Sequence, residues 1–195
     1  MRLHKHARLE SFSDAVIAIA ITLLVLELKA PELHSNNIWD EAKELLPLIP
    51  GVLTFILSFV TIAIFWVNHH QMTDHIETLN RRTLWANMIF LMFQALIPFA
   101  TRVVSINPTH ALSVATYSLI LFCGSASFSL VHLLIHQKIN RKLTWASKII
   151  QRSLVGPFVY FCAIIAAFNF VPIAYFLLLL PPLFYFLPKK HGRAA

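Results

Sequence analysis

The chain has 195 residues, of which 57% are apolar and 13% charged, with a formal net charge of +7. That charge content is roughly half of what a soluble domain carries, and apolar runs of about 20 residues, enough to cross a bilayer, recur along the whole length. Few soluble folds bury so much apolar surface in so short a chain. The composition therefore points to an all-α, polytopic membrane protein, a single domain over residues 1–195 with no internal repeat.

Six membrane spans are expected. The first, Ser11–Leu28, follows a basic segment and resembles a signal peptide at its start. Glu27 and Lys29 crowd any cleavage site, however, and Ser13–Asp14 interrupts the apolar run, so a retained span is expected. The second is Leu45–Asn68, with Pro47 and Pro50 at its opening. The third, Leu84–Val104, contains Pro98, where a kink is expected. Leu112–His136 is the fourth. The fifth, Ser153–Phe168, has Pro157 in its first turn, where a missing N–H is harmless. The sixth is Val171–Leu187. The last two are short and separated only by the stretch Asn169–Pro172, which leaves a re-entrant hairpin open. Cys123 and Cys162 lie inside apolar runs and give no disulfide framework or metal-ligand spacing.

Basic residues mark the cytoplasmic side of a membrane protein. With six spans, only Lys29, Lys43 and Arg102 fall on the outer side, where Glu32, Asp40, Glu41 and Glu44 also lie. Every other Lys and Arg falls inside, with both termini. The positive charge is explained by this topology, and no nucleic-acid partner is needed.

Ionisable residues at membrane depth are rare and point to function. Asp14 opens the first span, and two readings stay open for it. It is either a functional carboxylate or, with Ser11 and Ser13, a cap for free N–H groups at the helix start. Histidines cluster at the cytoplasmic ends of two spans: His69 and His70 close the second, while His132 and His136 share a face near the end of the fourth. With Asp74 and His75 they allow a membrane-bound metal or haem enzyme as an alternative, although no complete ligand set has enzyme-type spacing.

On a helical wheel of about 100° per residue, the first span divides into stripes. Ser11, Ala15, Ala18 and Thr22 form one, Ile17, Ile21, Leu24 and Leu28 the opposite one, and Ile19, Leu23 and Leu26 a third that meets Thr22. The small residues allow close helix approach. Stacked apolar rings from Ile19, Leu23 and Leu26 would make a dewetting gate, with Asp14 turned away toward neighbouring helices. Thr54, Ser58 and Thr61 in the second span and the run Cys123–Ser127 in the fourth read as tight helix contacts held by small residues and hydroxyls.

Arg8-x-x-x-Phe12-Ser13-Asp14 at the start of the first span resembles the signature of the transmembrane protein 175 family, lysosomal potassium channels and their shorter prokaryotic relatives. Trp66-x-Asn68-His69-His70 at the end of the second resembles the prokaryotic branch. The resemblance implies a potassium-selective cation channel in a prokaryotic inner membrane. It implies a homotetramer with both termini cytoplasmic, its pore lined by the first helix of each chain. It further implies an apolar constriction at Ile19, further rings at Leu23 and Leu26, and potassium near a threonine layer at Thr22. Arg8, Ser13 and Asp14 would join Trp66 and either His69 or His70 in a hydrogen-bond network, with no cofactor and no tightly bound metal. A secondary transporter is the remaining alternative, although the broken or repeated helices that would suggest one are not seen.

Overall fold

A computed structural model describes residues 3–73, 80–139 and 148–186. All regular structure among them is helical, as expected where lipid leaves every backbone N–H to be satisfied within its own segment. Helix α1 (Leu3–Leu23) tightens into a 3₁₀ turn at Leu24–Glu27. A short helix, α2 (Ile38–Leu45), precedes a 3₁₀ turn at Leu46–Leu48 and the long α3 (Ile49–Thr73). Then come α4 (Arg81–Ile106), α5 (Ala111–Ile139), α6 (Lys148–Asn169) and α7 (Val171–Phe186).

Among the described residues, four helical stretches are long and apolar enough to cross a membrane: Ala7–Glu27, Ile38–Thr73, Arg81–Ile106 and Ala111–Gln137. Two shorter apolar helices, Ser153–Asn169 and Val171–Phe184, correspond to the fifth and sixth expected spans. The protein is a multi-pass membrane protein.

One proline, Pro157, lies otherwise than hydropathy suggests, while Pro98 falls inside its helix as expected. Helix α6 begins at Lys148, in the basic segment upstream of the apolar run, so Pro157 lies well inside it and not in its first turn. Hydropathy marks where a helix enters lipid, and a helix is free to start earlier in water. Pro98 lies within α4, which continues to Ile106. The sequence reading also passed over α2. Its Asn37 cap accepts from the Trp39 N–H at 3.1 Å, fixing the first turn of a helix outside the apolar runs.

Helix α4 is the hub. It packs on α1 and α3 on one side and on α5 on the other, while α5 continues to α6 and α6 to α7. The apolar core joins Ile17, Ala20 and Leu24 of α1 to Ile62 and Phe65 of α3 and to Phe90, Ile97 and Val104 of α4. Polar residues are enclosed with them. Ser58 of α3 lies 2.7 Å from the Thr101 hydroxyl and 2.9 Å from the Tyr117 hydroxyl, tying α3, α4 and α5 together. Thr54 and Thr61, on the same face, donate to carbonyls of their own helix. The Cys123–Ser127 run meets α6: a Cβ on Gly156 would stand 3.7 Å from Ser125 Cβ, and Ser129 donates to the Ser153 carbonyl at 2.6 Å.

Candidate functional site

Helix α1 buries one stripe within its own chain and leaves the opposite face uncovered. Leu9, Ser13, Ile17, Ala20 and Leu24 are buried at steps of three and four residues, facing α3 and α4. Ile19 is 58% exposed, Leu23 42% and Leu26 70%, and Thr22 stands exposed beside them, its hydroxyl donating to the Ile19 carbonyl at 2.9 Å. The stripe of small residues, Ser11, Ala15 and Ala18, is also exposed. Three apolar residues and a hydroxyl thus share an uncovered face on the helix that carries the signature motif.

Two of the motif residues, Ser13 and Asp14, turn inward. Ser13 is fully buried and Asp14 half-buried, while Phe12 is exposed. Trp66 Nε1–H donates to Asp14 Oδ1 at 3.0 Å, so the carboxylate is turned toward α3. Asn87 of α4 lies between Ser13 and His69: its Nδ2 donates to Ser13 Oγ at 3.0 Å, and its Oδ1 lies 2.7 Å from His69 Nε2. With the amide so oriented, His69 carries its proton on Nε2. Ser13 passes the chain on, donating to the Leu9 carbonyl at 2.9 Å. His69 is enclosed and stacks on Phe90, with ring centroids 5.5 Å apart.

The two adjacent histidines take separate roles. His69 reaches Ser13 through Asn87. His70, at the exposed side, stacks on Trp66 with centroids 6.0 Å apart and lies 3.3 Å from Glu10 Oε1 through Nδ1. Asn68 donates to the Ile64 carbonyl of its own helix. Arg8 is exposed, and among the described residues no hydrogen bond or ion pair joins it to this group.

Asn87 and Glu10 were missed by the sequence reading. Asn87 had a usable signal: it is an amide inside an apolar span. It recurs with Gln94 and Thr101 every seven residues, all buried on one stripe of α4. Glu10 stands one turn before Asp14 and had no signal of its own.

The histidines of α5 form a pair. His132 and His136 Nε2 atoms lie 2.9 Å apart, and no group of three or more His, Cys, Asp or Glu suited to a metal occurs among the described residues. Asp74 and His75 lie outside the described residues.

A family model described as the endosomal/lysosomal potassium channel TMEM175 matches residues 8–98, which hold the whole of this site from Arg8 through Asn87. A crystal structure of a lysosomal potassium-selective channel TMEM175 homolog from Chamaesiphon minutus superposes with a TM-score of 0.82 at 26% identity. That match covers 93% of this chain and 96% of the other. The chain is thus similar to TMEM175 channels in sequence over residues 8–98 and in fold over nearly its whole length. Two curated relatives named as potassium channels are also similar. One, from Chryseobacterium sp. (strain P1-3), is 36% identical over 124 residues, 64% of this chain and 62% of that protein. The other, from Streptomyces collinus, is 32% identical over 131 residues, 65% of this chain and 62% of that protein. The alignments thus span under two thirds of the length of these relatives. Within this fold, Ser13 and Asp14 of the signature motif lie at the junction of α1, α3 and α4, turned away from the exposed apolar face of α1.

Proposed function

We propose that the protein is a potassium-selective cation channel of a bacterial inner membrane. Four copies surround a central axis lined by α1, with six spans per chain and both termini cytoplasmic. Ile19, Leu23 and Leu26 form stacked apolar rings, and Ile19 is the gate. An apolar ring too narrow for a hydrated ion blocks conduction by excluding water. Potassium beside the Thr22 layer is partly stripped of its water, the hydroxyl oxygens replacing it. The observation that carries this reading is the division of α1: Ser13 and Asp14 are tied inward to α4 and α3, while Ile19, Thr22, Leu23 and Leu26 stay uncovered. The potassium-channel names of the relatives support the same substrate. A metal or haem enzyme has less support, because His132 and His136 bond each other and His70 is engaged with Trp66 and Glu10.

Potassium flux into liposomes tests the gate. Ile19→Asn replaces the apolar ring with amides that hold water, and should raise flux and lower selectivity over sodium. Flux and selectivity equal to the unmodified channel would sink the assignment of Ile19.

A further inference from the structure

Arg102 is one of three basic residues that the topology puts on the outer side, and the pore reading gives it no task. The structure does. The 3₁₀ turn Leu24–Glu27 ends α1, and its last carbonyls have no partner within the helix. Arg102 Nη1–H donates to the Glu27 carbonyl at 3.0 Å, while its Nε lies 3.9 Å from Glu27 Oε2. Both side chains are about three-quarters enclosed. The Leu28 side chain, just past the turn, packs close to α3, because a Cβ on Gly51 would stand 3.7 Å from both Leu28 Cδ2 and Ser105 Cβ. Leu28 N–H closes the turn onto the Val25 carbonyl at 3.2 Å.

A guanidinium suits this place because it presents several donors in a fixed fork, enough to serve a carbonyl and a carboxylate together. It also complements the negative end of the helix dipole. The turn it holds carries Leu26, the outermost exposed apolar residue of the pore face.

We propose that Arg102 is a positioning residue for permeation. It fixes the turn that presents Leu26 to the pore axis and compensates the Glu27 carboxylate at the outer mouth. This rests on the reading of α1 as the pore helix.

Salt separates the two effects, because screening acts on charge and not on geometry: the Debye length falls from about 30 Å at about 10 mM to about 3 Å at about 1 M. Single-channel conductance is measured in planar bilayers for two variants whose assembly is verified by size-exclusion chromatography. Glu27→Gln keeps the carbonyl bond and leaves four Arg102 charges at the mouth. It should lower inward potassium conductance about twofold to threefold at low salt and match the unmodified channel at high salt. The double variant Glu27→Gln/Arg102→Met leaves the net charge of the mouth unchanged and removes the bond to the carbonyl. It should change conductance or selectivity about twofold at both salt concentrations. If both variants equal the unmodified channel at both salts while Ile19→Asn alters flux, the proposal falls and the pore reading stands. If Ile19→Asn is also silent, the pore reading itself has failed.

Discussion

Ile17 and Ile19 are the same residue two positions apart on one helix, and they have opposite surroundings. Ile17 is completely enclosed by α3 and α4, whereas Ile19 is more than half exposed. Burial on one side and exposure on the other follow from the helical repeat: a step of two residues turns a side chain by about 200°. The enclosed face of α1 also carries Ser13, and the polar groups there are joined to neighbours across helices. The uncovered face carries no charge between Phe12 and Leu26. One face makes the chain's own fold, and the other is left for whatever lies beyond the chain.

The largest expected contrast comes from placing one substitution on both faces. Ile17→Asn buries an amide among apolar side chains and should cost at least about 3 kcal/mol, or abolish folding. Ile19→Asn should leave thermal unfolding in detergent close to that of the unmodified protein while changing flux. Equal loss of stability at the two positions would erase the distinction between the faces.

Next in size is Asn87→Leu, which removes two buried interhelical bonds at once and orphans His69 Nε2. About 2 kcal/mol of stability should be lost, read as a lower unfolding temperature. His70→Phe, at the exposed side, keeps the stacking area on Trp66 and should cost less than half of that. A larger effect at His70 than at Asn87 would reverse the roles given to the two histidines.

Smaller again is Trp66→Phe, which removes the single donor to Asp14, at about 1 kcal/mol. Asp14→Asn is the mildest, because its side-chain oxygen still accepts from Trp66 Nε1–H; about 0.5 kcal/mol or less is expected. That change should touch stability more than ion selectivity. A shift in selectivity with assembly intact would place Asp14 on the ion's path, against its contact with α3.

Much of the layout was legible in the amino-acid order. Apolar runs of bilayer length dictate helices, because lipid offers the backbone no other partner. The wheel of α1 separated Ile17 and Leu24 from Ile19, Leu23 and Leu26, and the buried and exposed stripes follow the same division. The signature residues Arg8, Phe12, Ser13 and Asp14 lie within the segment that matches the TMEM175 model. Periodicity carries this much because a helix fixes the angle between neighbouring side chains whatever it packs against.

Contacts between distant segments were not legible in this way. Nothing local places Asn87 between Ser13 and His69, residues 74 and 18 positions away. Nothing local decides that His69 turns inward and His70 outward. The same holds for Arg102, a lone basic residue in an outer segment whose partner lies 75 positions earlier. Helix propensity and hydropathy are properties of a segment, so the sequence determined the helices, their lipid-crossing lengths and the two faces of α1. The choice of hydrogen-bond partner depends on how those helices cross, and that was decided only when α1, α3 and α4 closed on one another.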